Sequence, residues 1–180
     1  MDVQIIYASL TGCTERVAKA IAAGLPDHQV SLHNLAEGAP EITGDAVLLG
    51  YWGIKGGPDE KTAAFLRTIE GKAVGVFCTL GYYADSSHGR DTLESGFNLV
   101  KDRNEIIGGF VCNGAVARNL MKGQGKEPGA APTEQKELRW AVMASHPTQA
   151  ECALAAERFR ERIWLWEQSK KLGIPFRSVL

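Results

Sequence analysis

Val3-Gln4-Ile5-Ile6-Tyr7-Ala8-Ser9-Leu10-Thr11-Gly12-Cys13-Thr14-Glu15 is the stretch of the sequence that indicates the fold. It begins as an apolar run, passes through a turn rich in hydroxyl groups, and enters a helical pattern with apolar residues at Val17, Ile21 and Leu25. This order predicts a buried strand, a tight turn and the first turn of a helix. Because the first N–H groups of a helix lack partners and carry partial positive charge, the turn at 9–14 is suited to binding phosphate.

Residues 9–14 include no lysine, arginine or acidic residue, and this limits which phosphate-containing ligands the turn can bind. Ser9, Thr11 and Thr14 offer hydroxyl donors, and Gly12 allows close approach to the backbone. The sequence contains neither the Gly-Lys-Ser/Thr loop that binds nucleoside triphosphates nor a Gly-x-Gly-x-x-Gly dinucleotide motif. Neutral donors suit a single phosphate monoester bound without a metal. The alternative is an ordinary helix N-cap formed by Thr11 or Thr14.

Composition limits the class of protein. At 180 residues, with 44% apolar and 23% charged residues, the chain is expected to form one globular domain over residues 1–180. No apolar run is long enough to predict a membrane span, and the net charge of −1 gives no reason to expect nucleic acid. Four scattered cysteines without a Cys-x-x-Cys motif, and no signal-peptide pattern, predict a reduced, cytoplasmic protein.

The charges are unevenly distributed along the chain. Residues 1–60 hold eight acidic and three basic residues, whereas residues 117–180 hold seven acidic and eleven basic residues. Either solvated helix faces or an oriented docking surface would explain this difference.

Four further apolar runs, at 28–32, 45–50, 73–78 and 106–112, alternate with helical patterns. Continuous apolar strands are typical of a parallel sheet that is buried on both faces. The sequence therefore predicts an α/β fold, a three-layer αβα sandwich whose five parallel strands have the order 2-1-3-4-5. Two short helices, near 116–121 and 134–143, are predicted within an insertion at about 114–146, and a basic, apolar tail covers 169–180.

Aromatic residues and glycines follow the third and fourth predicted strands. Tyr51-Trp52-Gly53 comes after the third strand, and Thr79-Leu80-Gly81-Tyr82-Tyr83 after the fourth. Because the carboxyl ends of parallel strands meet at one edge of the sheet, both loops should face the crevice beside the turn at 9–14. We expect them to hold a flat ring, although Trp52 alternatively covers the edge of the core.

The motif Ser9-Leu10-Thr11-Gly12-Cys13-Thr14 resembles the phosphate loop of flavodoxins, commonly written Thr/Ser-x-Thr-Gly-x-Thr. Residues 51–53 and 79–83 are similar to the two loops of that family that hold the flavin ring. The resemblance implies that FMN is the cofactor and that its ring lies between Trp52 and either Tyr82 or Tyr83. No catalytic or metal-binding residue is predicted, and the predicted cofactor-binding residues are Ser9, Leu10, Thr11, Gly12, Cys13, Thr14, Tyr51, Trp52, Gly53, Thr79, Leu80, Gly81, Tyr82 and Tyr83.

The resemblance implies an electron-transfer protein that passes electrons to or from redox partner enzymes. The alternative is an FMN-dependent NAD(P)H oxidoreductase acting on a quinone-like or other conjugated small molecule, with His88 as a candidate proton donor. The nearly neutral charge weakens the carrier interpretation without overturning it, since carrier flavodoxins are usually strongly acidic. The segment at 114–146 does the same, because it could cover a substrate. A binding module without flavin is a third hypothesis. The sequence leaves open whether the protein is a monomer or a homodimer.

Overall fold

The computed structural model describes residues 1–118 and 132–177. Within these residues, strands and helices alternate along most of the chain. The elements are β1 Asp2–Tyr7, α1 Cys13–Ala23, β2 Gln29–Asn34, a 3-10 turn Leu35–Glu37, β3 Ala46–Trp52, α2 Glu60–Leu66, β4 Ala73–Leu80, α3 Ser87–Val100, β5 Glu105–Asn113, α4 Glu134–Met143 and α5 Gln149–Leu172.

The five strands pair in parallel in the order β2-β1-β3-β4-β5. This confirms the predicted strand order and places the carboxyl ends of β1, β3 and β4 side by side. β3 and β4 run two residues further than predicted, so Tyr51, Trp52, Thr79 and Leu80 belong to the ends of strands. Ends fixed in a sheet position their side chains more firmly than loops do.

Two apolar clusters cover the two faces of the sheet. One contains side chains of α1 and α5, such as Ile21 and Phe159, packed on Phe77 of β4. The other contains Leu66 of α2 and Phe97 of α3 together with residues of the central strands. Every residue of β4 is buried, as expected for a strand between two helical layers. The arrangement confirms the predicted αβα sandwich.

The side chains of Asp59, Ser86 and Thr148 cap the starts of α2, α3 and α5 by accepting backbone N–H groups. α1 instead begins after Gly12, which has a left-handed backbone (φ 80°) and makes no side-chain cap. The alternative interpretation of Thr11 or Thr14 as an N-cap is therefore wrong.

The segment after β5 contains α4, with the bounds predicted from the sequence. The short helix predicted at 116–121 is not present at 116–118, and its remaining residues lie outside the described part of the chain. α5 continues through Leu172, so the segment interpreted as a tail from 169 begins as helix. Beyond it, Phe176 packs against the apolar cluster of α1 and α5. Whether 114–146 is an insertion in a single domain stays a prediction.

Among the helices that the structure describes, none has both the length and the apolar character that a membrane crossing requires.

Candidate functional site

A pocket of about 290 Å³ lies at the carboxyl ends of β1, β3 and β4. This volume is at the lower end of the range for small-molecule sites, about 300–1,000 Å³. Residues from both aromatic loops and from the turn after β1 meet there. The predicted site residues that line the pocket are Leu10, Thr11, Trp52, Gly53, Thr79, Leu80, Gly81 and Tyr82.

The turn at 9–14 leaves its backbone donors free. The N–H groups of residues 10–14 donate to no atom in the described part of the chain. The first amide of this region with a partner is that of Glu15, which donates to Ser9 Oγ at 3.3 Å, followed by that of Arg16, which donates to the Gly12 carbonyl at 3.0 Å. A row of unpaired amides at the start of α1 is a strong set of donors for an anion.

The side chains of this turn are used mainly for internal contacts. Thr14 is fully buried, and its hydroxyl shares a hydrogen bond with the Thr79 hydroxyl at 2.9 Å. Cys13 is buried as well, and its sulfur accepts hydrogen bonds from the Thr11 hydroxyl at 3.1 Å and the Ala115 N–H at 3.2 Å. The turn therefore presents backbone amides rather than the Thr14 hydroxyl to a ligand.

His146 connects the start of α1 to the start of α5. Its carbonyl accepts hydrogen bonds from Arg16 Nη2 at 2.8 Å and from the Cys13 thiol at 3.4 Å. Its Nδ1 lies 2.7 Å from Glu151 Oε2, which also accepts the Thr148 N–H at 2.6 Å in a capping box. The turn at 9–14 is thus braced by a segment from the second half of the chain.

Replacing Glu151 with glutamine should reduce the loss of folding stability that occurs as the pH is lowered. Burial raises the pKa of Glu151, but hydrogen bonds from Thr148 and His146 outweigh burial and hold the pKa below its ordinary value of 4.5. Because the folded-state pKa is the lower one, this stabilisation is complete above pH 4.5 and is lost as the pH falls through the folded-state value. Because hydrogen bonds to a charged group contribute more than those to a neutral one, we expect E151Q to cost about 1 kcal/mol at pH 7. The cost should shrink as the pH falls through the folded-state pKa of Glu151, as measured by urea unfolding.

Glu157→Gln provides the matched control, since Glu157 is an exposed carboxylate on the same helix. E157Q should leave the pH dependence of stability unchanged. An E151Q curve parallel to that of the wild type would show that the charge of Glu151 does not contribute.

The two tyrosines of the second aromatic loop occupy different places. Tyr82 lines the pocket, with its ring centroid 5.6 Å from that of His88 and 4.6 Å from the guanidinium carbon of Arg139. Tyr83 is 46% exposed and is not among the lining residues. Trp52 lines the pocket and makes no ring contact with any other aromatic side chain in the described ranges. Trp52 and Tyr82 are therefore the side chains of the two aromatic loops that can face a flat ligand.

The Gly53 N–H donates to the Thr79 carbonyl at 2.7 Å and joins the two aromatic loops directly. A Cβ at Gly53 would lie 2.8 Å from the Thr92 methyl group, and one at Gly81 would lie 2.3 Å from Val116. Both glycines thus allow close packing around the pocket.

Tyr51 lies in the core rather than in the pocket. Its side chain is fully buried beneath α3, and its hydroxyl donates to the Thr92 carbonyl. Burial raises the pKa of Tyr51 far above its ordinary value, so the phenol stays protonated.

Replacing Tyr51 with phenylalanine should therefore lower stability without changing ligand affinity. Removing the hydroxyl leaves the buried Thr92 carbonyl without this donor, which costs about 1 kcal/mol. We expect a correspondingly lower urea midpoint and an unchanged Kd for FMN, the cofactor that the sequence resemblance implies. A variant of normal stability with weakened FMN binding would instead place Tyr51 in the site.

The α4 wall of the pocket contains three residues that were not predicted from the sequence. Lys136, Arg139 and Trp140 line the pocket from this helix, and their i, i+3, i+4 spacing places them on one face. That spacing was visible in the sequence, but the direction of the face was not. Residues 114–117, Ile54, His88 and Lys55 complete the lining, with Lys55 at the tip of a tight turn (φ 52°).

The described residues provide no set of metal ligands. Within residues 1–118 and 132–177, no group of three His, Cys, Asp or Glu side chains is placed to hold a metal ion.

Comparison with known proteins agrees with this fold. Residues 4–160 match the family model described as flavodoxin domain. The chain is 29% identical over 155 residues to the flavodoxin-like domain-containing protein BilS of Clostridioides difficile, covering 82% of this chain and 88% of that protein.

Solved structures of similar fold include oxidised flavodoxin 2 from Bacillus cereus (TM-score 0.54, 20% identity, covering 90% of this chain and 99% of that one). Another is the Fusobacterium nucleatum flavodoxin bound to flavin mononucleotide (TM-score 0.52, 16% identity, covering 89% and 97%). Since the family model spans well over half of the sequence, this chain belongs to the flavodoxin domain family.

Proposed function

We propose that this protein binds FMN in the pocket beside the turn at 9–14 and transfers electrons through it. The observation that supports this most strongly is the row of unpaired amides at 10–14, which opens beside a pocket lined by Trp52 and Tyr82. An anionic group and a flat aromatic group, joined in one molecule, would satisfy both features. The fold is shared with the F. nucleatum flavodoxin, which is bound to flavin mononucleotide.

Three sets of residues would hold three parts of FMN, namely the phosphate, the faces of the ring and its edges. The amides of 10–14 would hold the phosphate, and Trp52 and Tyr82 would flank the ring. The backbone at Gly53 and Gly81 would lie along the edges of the ring. FMN, when bound, supplies the redox chemistry, while these residues provide orientation and electrostatic control.

As an electron-transfer protein it would exchange electrons with redox partner enzymes. All four cysteines are free thiols, which agrees with a reducing compartment such as the cytoplasm. In this proposal the partner enzymes perform the substrate chemistry and dock beside the flavin to exchange electrons with it.

The second candidate function is an FMN-dependent NAD(P)H oxidoreductase acting on a quinone-like or other conjugated molecule. It is favoured by the α4 wall, where Lys136, Arg139 and Trp140 face the pocket together with residues 114–117. Such a wall would enclose a substrate beside the ring and exclude water.

Rapid mixing of the FMN-loaded protein with NADH or NADPH distinguishes the two functions. A carrier should show no direct flavin bleaching with either nicotinamide, and rapid bleaching only when a separate reductase is added. Direct bleaching at catalytic rates would overturn the carrier proposal in favour of the oxidoreductase. Failure of the purified protein to bind added FMN would overturn both.

A further inference from the structure

The pocket is strongly cationic although the protein is nearly neutral. Lys55, Lys136 and Arg139 line it, and no aspartate or glutamate does so in the described part of the chain. The other titratable side chains of the lining are Tyr82 and His88. None of the three cations lies within 4.0 Å of a described carboxylate. No carboxylate of the described residues therefore neutralises these cations, and they can act on whatever occupies the pocket.

Arg139 is the cation best fixed in place. Its guanidinium lies over the ring of Tyr82, with 4.6 Å between the guanidinium carbon and the ring centroid. Its Nε is buried and has no hydrogen-bond partner among residues 1–118 and 132–177. Because a buried, unpaired donor of a charged group is costly, an acceptor is expected from the ligand.

Lys136 and Arg118 support the same wall. The Lys136 ammonium lies 5.0 Å from the Trp140 ring centroid, and the Arg118 guanidinium carbon lies 5.9 Å from it. Arg118 is exposed and its Nη1 is 3.5 Å from Glu137 Oε2, so its charge is partly balanced outside the pocket. Lys136 and Arg139 thus supply the unbalanced charge from α4.

We propose that Arg139, assisted by Lys136, stabilises the negative charge that the FMN ring acquires on full reduction. This inference rests on the proposed function. When FMN takes up two electrons and one proton, N1 remains unprotonated and the ring system carries one negative charge. Cations without neighbouring carboxylates favour this anionic form over the form that takes up a second proton. Arg139 therefore raises the two-electron potential of the bound flavin.

The test compares the Kd of oxidised and dithionite-reduced FMN for wild type, Arg139→Gln and Lys136→Gln, together with the midpoint potential. In R139Q the Kd of reduced FMN should rise about tenfold more than that of oxidised FMN, which lowers the midpoint potential by about 30 mV. K136Q should act in the same direction with a smaller effect. In R139K, the Kd of reduced FMN and the midpoint potential should stay close to those of the wild type, because a positive charge is retained.

Arg160→Gln is the matched control, since Arg160 is exposed on α5 and does not line the pocket. R160Q should leave both Kd values unchanged. An equal rise of both Kd values in R139Q would place Arg139 on the phosphate and overturn the inference while leaving FMN binding intact. Absence of FMN binding by the wild type would overturn the proposed function as well.

The proton count of wild-type protein gives a second, mutation-free readout. On reduction by two electrons, FMN bound to the protein should take up one proton rather than two down to a lower pH than free FMN does in the same buffers. Uptake of two protons at a pH where free FMN takes up one would contradict the inference.

Discussion

FMN should bind about 10- to 100-fold more weakly to the Trp52→Ala variant than to the wild type. Stacking of a flat heterocycle on an aromatic side chain contributes about 1–3 kcal/mol, and each 1.4 kcal/mol is about a factor of ten in Kd. Trp52 lines the pocket and is half-buried, with no other described aromatic ring against it. Its side chain therefore borders the space that the flavin ring would occupy. The Kd is measured by the quenching of FMN fluorescence.

Trp164→Ala removes the same side chain at a site that is 59% exposed on α5, and it should leave the Kd unchanged. Trp52→Phe, which keeps an aromatic ring, should recover most of the lost affinity. Wild-type FMN affinity in a folded W52A protein would mean that Trp52 only covers the edge of the core.

Replacing Gly12 with valine should weaken FMN binding about 30-fold while hardly affecting riboflavin, which lacks the phosphate. Gly12 has a φ of 80°, and a Cβ there would meet no atom within 4 Å. The cost of the substitution is therefore backbone strain, which is about 2 kcal/mol for a residue forced into this region. If the phosphate binds only when residue 12 adopts this conformation, the same energy weakens the Kd by about 30-fold. Titration with both flavins separates the phosphate contribution from the ring contribution.

Gly173→Val is a closely matched control, because Gly173 also has a positive φ (64°) and open space around its Cβ position, but caps the end of α5. G173V should lose stability without losing FMN affinity. Gly12→Asn should be milder than G12V, since asparagine tolerates the left-handed region. Equal losses for FMN and riboflavin in G12V would show that the turn does not hold the phosphate.

Most of the fold follows from patterns that are local in the sequence. β3 and β4 are buried on both faces, and such strands must be continuously apolar, which is why the runs at 45–50 and 73–78 were recognisable. Helix starts at Asp59, Ser86 and Thr148 follow from their side-chain chemistry. The turn at 9–14 lies between a strand and a helix start, so its conformation was predictable from the order of residues alone.

Other parts of the site depend on tertiary packing. Successive residues of a strand point to opposite faces, so only one of Tyr51 and Trp52 can reach the pocket, and the structure places Tyr51 in the core. Choosing between Tyr82 and Tyr83 required the packed structure, in which Tyr82 lines the pocket and Tyr83 is 46% exposed. No local pattern shows that α4 closes the pocket, because its amphipathic face would suit any apolar surface.

The most direct test of this account is a crystal structure of the protein grown with excess FMN. We expect the FMN phosphate to accept hydrogen bonds from the amides of residues 10–14 and the ring to stack on Trp52. A turn left without phosphate, or filled by side chains of the protein while FMN is present in excess, would contradict the account.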